Sequence, residues 1–108
     1  MTNRFEITVQ EAAEELKKPQ PPRLLDVRQP HEWNLVRMEG AELVSQALVD
    51  DMLDNWPKDT PIICYCHHGH RSLNAVAFFS GQGFTNVKSL RGGINAWAIE
   101  VDPSMSRY

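Results

Sequence analysis

One stretch constrains the fold of this chain more than any other. The apolar run Pro61-Ile62-Ile63-Cys64-Tyr65 passes without a break into Cys66-His67-His68-Gly69-His70-Arg71-Ser72, and a helical pattern follows at once. A buried strand that feeds a tight glycine-containing loop and then a helix belongs to sheets whose faces are covered by helices. The rest of the chain repeats the alternation. Thr8 and Glu11 form a capping-box pattern that opens a predicted helix over Val9 to Lys18, with Ala12, Ala13 and Leu16 on its apolar face. Arg23 to Val27 reads as a buried strand, Pro30 to Leu35 as a short helical turn, and Gly40 to Val44 as a second short strand. Gln46 to Trp56 is a predicted helix with Leu48, Met52, Leu53 and Trp56 inward, ended by Pro57. Ser72 to Gln82 is a predicted, mostly buried helix on which Leu73, Val76, Ala77 and Ser80 share a face. Asn86 to Leu90 is a last strand, and Ile94 to Glu100 a last helix with Trp97 inward. The expected fold class is therefore α/β, a mostly parallel central sheet flanked by helices on both faces.

At 108 residues there is room for one core, and a single domain over 1–108 is expected. Pro19 to Pro22 joins two elements and does not separate two domains. Eleven basic against fourteen acidic residues leave a net charge of −3, which provides no general attraction for nucleic acid or anionic lipid. Any anion site has to be built locally. The N-terminal residues lack an apolar signal region, and no stretch is long enough to span a bilayer. These features read as a cytoplasmic protein, a compartment in which thiols stay reduced. A disulfide between Cys64 and Cys66, so close at a strand end, is not expected. Cys64, between Ile63 and Tyr65, is expected to be plain packing.

Chemistry concentrates in residues 66 to 72. A tight loop entering a helix N-terminus turns successive backbone N–H groups inward and forms a nest for negative charge, reinforced by the helix dipole. Free cysteine titrates near roughly 8.5, and such surroundings lower it to about 3.5–7.5, so Cys66 is expected to be a nucleophilic thiolate. Arg71 and any protonated histidine would add to the effect. The alternative, that Cys66 is one more small buried residue, fits poorly with three histidines and an arginine crowding the next five positions.

Arg23-Leu-Leu-Asp-Val-Arg-Gln-Pro-His-Glu-Trp33, Gly40-Ala41, the loop Cys66 to Ser72, Gly83-Phe84 with Val87, and Leu90-Arg-Gly-Gly-Ile-Asn-Ala-Trp97 together resemble the rhodanese-like family, over nearly the whole chain and in the family's order. The resemblance implies the rhodanese α/β fold and a single-domain thiosulfate sulfurtransferase. Cys66 matches the cysteine that takes a sulfane sulfur as a persulfide. It implies that His67, His68, Gly69, His70, Arg71 and Ser72 form the substrate-binding loop, with Arg71 binding the donor anion. Asp26 and Arg28 are expected to support the site, and Glu32 and Trp33 to form a structural turn beside it. The partners are then a small sulfur-containing anion such as thiosulfate and a thiol or protein acceptor, with no cofactor and no metal. Where many members carry Gly-His-Ile-Pro, this chain has Val36-Arg37-Met38-Glu39, a departure in the loop rather than at the cysteine.

Loop length separates activities within such folds. Related dual-specificity phosphatases place their arginine one residue further from the cysteine, in a loop large enough for phosphate, whereas four residues separate Cys66 from Arg71. The shorter loop favours sulfur transfer over phosphatase or arsenate reductase chemistry. Two readings of other classes remain. Cys66, His67, His68 and His70 are suitable ligands for Zn or Cu(I), but adjacent ligands in one tight loop rarely reach tetrahedral geometry together. A persulfide carrier, serving one dedicated protein partner, would use the same cysteine without rapid thiosulfate turnover.

Overall fold

A computed structural model describes residues 5–108. Its centre is a five-stranded sheet in the order β1-β5-β4-β2-β3, with β1 Glu6–Ile7, β2 Arg23–Asp26, β3 Glu42–Leu43, β4 Ile62–Tyr65 and β5 Val87–Leu90. Every pairing is parallel. The helices are α1 Val9–Leu16, α2 Pro30–Leu35, α3 Gln46–Asn55, α4 His70–Gly81 and α5 Gly93–Glu100.

Strand alternation sorts the side chains into two cores. Leu24, Ile63, Tyr65 and Leu90 join Ile7, Val9, Ala12, Met38 and Ile94 on the face covered by α1 and α5. Leu25, Ile62, Cys64 and Val87 join Met52, Val76, Phe79 and Phe84 on the face covered by α3 and α4. A strand buried on both sides needs an unbroken apolar run, and β4 has one. Thr8 caps α1 as its sequence implies: its hydroxyl accepts the Glu11 N–H at 3.1 Å, and the Glu11 carboxylate accepts the Thr8 N–H at 3.0 Å. Such a cap contributes about 1 kcal/mol.

Some sequence expectations need adjustment, and strand β1 is not among the elements expected. Helix α1 stops at Leu16, with Lys17 as its cap, two residues short of the predicted end. Strand β1 carries too few residues to show a period, and only its pairing with β5 makes it a strand. Helix α4 begins at His70 rather than Ser72. It is also half exposed rather than mostly buried: Ser72, Val76 and Phe79 face inward, whereas Leu73 and Phe78 are 37% and 46% exposed. The buried stripe is anchored on a serine, which a search for apolar positions passes over.

Candidate active site

The loop from Cys66 to Gly69 leaves the C-terminal end of β4, the edge at which parallel sheets bind ligands. Gly69 caps α4 with φ +108°, a conformation that favours glycine. The chain can therefore reverse there and aim its N–H groups back at the cysteine. The Cys66 sulfur accepts the Gly69 N–H at 3.1 Å and the Ser72 N–H at 3.4 Å, and it lies 3.5 Å from the Ser72 hydroxyl. The carbonyls of the same loop are turned outward and tied down. The orphan N–H groups at the start of α5 supply the ties: Ile94 donates to the Cys66 carbonyl at 2.8 Å and Asn95 to that of His67 at 3.1 Å.

This close approach is why a glycine precedes Ile94. A Cβ on Gly93, whose φ is +64°, would collide with the carbonyl oxygens of Cys66 and His67. Gly93→Ala is expected to cost at least about 1–3 kcal/mol through its backbone conformation, with the collision in addition. Urea unfolding measures that loss, and a stability equal to the parent would show that the loop is not held this way.

Electrostatically the nest acts on a buried sulfur. Burial raises the Cys66 pKa, but the Ser72 hydroxyl and the backbone N–H groups of Ser72, Gly69 and Arg71 outweigh it, and the thiol lies below its ordinary value. Cys64 shows what burial does without donors. Fully enclosed in the core, with Cys66 nearby, it is pushed up to about 12. Both cysteines are free.

The loop side chains divide. Ser72 and Gly69 are buried with the sulfur, whereas His68, His70 and Arg71 are exposed and His67 is intermediate. Burial and the adjacent His68 hold the His67 imidazole below its ordinary 6.5, so its charge contributes little to the thiolate near neutrality. The Arg71 guanidinium makes two parallel hydrogen bonds to Glu32, at 2.7 and 2.9 Å. The Arg71 backbone N–H is among the groups that favour the Cys66 thiolate. Among the described residues no three His, Cys, Asp or Glu side chains gather as a group able to hold a metal ion, and no helix is long and apolar enough to cross a membrane.

Glu32 is the hub of the surroundings. Besides Arg71, its carboxylate accepts the Tyr108 hydroxyl at 2.7 Å and the Gln29 N–H at 3.1 Å. These bonds, that from Arg71 the largest, hold its carboxyl well below the usual carboxylate range despite burial. A depressed carboxyl adds stability that is fully present above its unfolded value, near 4.5, and lost as pH falls towards its folded one. The melting-temperature difference between the parent and Glu32→Gln is accordingly expected to shrink as pH drops below about 4.5. A constant difference would mean that the bonds do not depend on charge.

Asp26 and Arg28 lie behind this hub as a buried ion pair, Nη2 to Oδ2 at 2.6 Å, with both side chains fully enclosed. Arg28 also donates to the Val36 carbonyl at 2.6 Å and to the Tyr108 hydroxyl at 2.9 Å. The segment departing from the usual loop pattern is thereby built into the support. Met38 is 2% exposed, its N–H donates to the Tyr65 hydroxyl at 3.2 Å, and the Arg37 guanidinium lies over the Trp33 ring. Tyr108 also stacks on the His67 ring, centroids 4.1 Å apart. Nothing in the local sequence pattern marks Tyr108 for this place. Ser89 does carry a sequence signal, though not one of a site residue: it lies two residues after the core residue Val87, a polar side chain at an inward position.

The family model for the rhodanese-like domain matches residues 8–100. The chain belongs to the rhodanese-like family. Among relatives of this rhodanese-like domain, a probable adenylyltransferase/sulfurtransferase MoeZ of Mycobacterium tuberculosis is 39% identical over 87 residues. That match takes in 79% of this chain but only 22% of MoeZ, so the domain spans about a fifth of that relative. A thiosulfate sulfurtransferase GlpE of Pseudomonas putida is 34% identical over 87 residues, 81% of this chain and 79% of GlpE. The crystal structure of a rhodanese-like domain protein from Staphylococcus aureus superposes with a TM-score of 0.75 at 24% identity, over 95% of this chain and 97% of that one. The fold expected from the sequence is thus the fold observed, with the sheet wholly rather than mostly parallel.

Proposed function

We propose that this rhodanese-like domain moves a sulfane sulfur from thiosulfate, or a similar donor, to cyanide or a thiol acceptor through a persulfide on Cys66. The observation that carries the reading is the position of the Cys66 sulfur, buried where it accepts the Gly69 and Ser72 N–H groups. Similarity to the GlpE thiosulfate sulfurtransferases supports the choice of donor.

In the first step the Cys66 thiolate attacks the outer sulfur of thiosulfate. A new S–S bond forms as the bond to the sulfonate sulfur breaks, and sulfite leaves with the electron pair. No proton moves. The terminal persulfide sulfur then carries the negative charge, which the loop N–H groups from His67 to Ser72 stabilise as an oxyanion hole stabilises oxygen. In the second step cyanide attacks that sulfur, thiocyanate leaves, and the Cys66 thiolate is restored.

The test is the intact mass of the reduced protein before and after thiosulfate, and again after cyanide. The expected result is a gain of one sulfur atom, reversed by cyanide with release of thiocyanate. No adduct with thiosulfate or with a low-molecular-weight persulfide would overturn the reading. MoeZ joins sulfurtransferase and adenylyltransferase in its name, and similarity to it supports a second reading in which the domain carries persulfide for a protein partner. Slow thiosulfate turnover combined with fast transfer from charged Cys66 to a protein thiol would favour that second reading.

A further inference from the structure

Behind Cys66 lies a buried chain of hydroxyls that the reaction scheme does not use. Ser72, from α4, and Ser89, from β5, are each 0% exposed, and their Oγ atoms are 2.7 Å apart. Ser72 Oγ also lies 3.2 Å from the Gly69 carbonyl, to which it can donate, and 3.5 Å from the Cys66 sulfur. Among the described residues, Ser72 Oγ is the one hydrogen-bond partner of the Ser89 hydroxyl.

Counting protons sets the direction. A hydroxyl has one proton to give. If Ser72 gave its proton to Ser89, only the thiol form of Cys66 could bond to Ser72, by donating to it, and the sulfur would be held protonated. If Ser89 gives its proton to Ser72, the Ser72 proton is released for the Gly69 carbonyl or the Cys66 sulfur, and swings to the sulfur when that becomes negative.

We propose that Ser89 is a positioning residue for sulfur transfer: its buried hydroxyl donates to Ser72 and so aims the Ser72 proton at the sulfur of Cys66. The inference rests on the persulfide reading above for its catalytic meaning, but its geometry and its test do not. Removing the Ser89 hydroxyl leaves a lone pair of Ser72 Oγ unsatisfied in a buried site, and the cheapest donor within reach is the Cys66 thiol. The thiol is thereby favoured over the thiolate. Ser89 never touches the reacting sulfur, and its effect must pass through Ser72.

The experiment follows the carbon-13 shift of the Cys66 Cβ against pH, in selectively labelled protein, for the parent, Ser89→Ala, Ser72→Ala and the double variant. Cys64 is silent over this range, since it titrates near 12. Ser89→Ala is expected to raise the midpoint by about one pH unit, which is tenfold less thiolate on the acid side of both midpoints. Ser72→Ala is expected to raise it at least as far, and adding Ser89→Ala to Ser72→Ala to shift it no further. A midpoint unmoved by Ser89→Ala, or moved equally in both backgrounds, would overturn the proposal. Should Ser89→Ala prove poorly folded, Ser89→Thr and Ser89→Val replace it. They have nearly the same shape and differ by the hydroxyl, so the proposal requires the higher midpoint in the valine variant, and equal midpoints would overturn it. Because the readout is ionisation rather than turnover, a protein that accepts no sulfur still answers the question about Ser89. Persulfide formation measured on the same samples reports separately on the proposed function.

Discussion

Cys66→Ser is expected to reduce sulfur acceptance to the uncatalysed background while leaving the fold in place. The reaction needs an atom that is anionic near neutrality and can form an S–S bond, and a serine hydroxyl meets neither requirement. The surrounding N–H groups of Gly69 and Ser72 can still donate to an oxygen, so the variant keeps its donors satisfied. A stability change of no more than about 1.5 kcal/mol is expected. Intact mass after thiosulfate tests the first half and urea unfolding the second. A persulfide still formed in Cys66→Ser would move the chemistry to Cys64, which burial and a pKa near 12 make a poor nucleophile. The parent itself is expected to charge faster as pH rises towards the Cys66 pKa, which lies below the ordinary thiol value, and to level off above it.

Breaking the Asp26–Arg28 pair is expected to produce the largest loss of stability of any single charge change among the described residues. Asp26 holds the guanidinium through Nε and Nη2 and also accepts the Arg28 backbone N–H at 2.9 Å. Neither side chain reaches water. The arginine stays protonated under all ordinary conditions, and in this site its pKa is raised further, by the bonds and charge of Asp26 and Tyr108 acting against burial. Asp26→Asn therefore strands a permanent cation, and Arg28→Met strands a carboxylate. Each is expected to cost about 3–5 kcal/mol. Removing both charges together, as Asp26→Asn with Arg28→Met, is expected to cost less than either single change, because no unpaired charge remains buried. Urea unfolding of the three variants checks the cycle. Single variants that lose less than about 1 kcal/mol would show the pair to be solvated in solution.

The same region shows where sequence and structure part. The capping box at Thr8, the apolar run of β4 and the Cys66 to Ser72 loop are local features. Their information lies in neighbouring residues, because helix caps, strand periods and N-terminal nests are made by bonds over a few positions. The order of elements and the location of the cysteine at a sheet edge follow from such signals. The exposed faces of α4 do not, since which stripe of a helix is buried depends on where the sheet lies. Here the stripe runs through Ser72 because Ser89 of β5 waits beneath it.

Charge partners are the other gap. Arg71 reads in sequence as a cation for the donor anion, but 39 positions away Glu32 takes its guanidinium. Tyr108 meets Glu32 and Arg28 across 76 and 80 positions. No local pattern carries such pairings, which exist only once the chain has closed. The residues themselves thus specified a mostly parallel α/β sheet with a cysteine in an N–H nest at its edge. Folding determined how that nest is supported: that Glu32 takes the Arg71 guanidinium, which hydroxyls lie behind the sulfur, and how the loop carbonyls are tied to α5. The physical reason is range: hydrogen bonds within a turn are written in adjacent residues, whereas the burial and pairing of charged and polar groups depend on every element that packs against them.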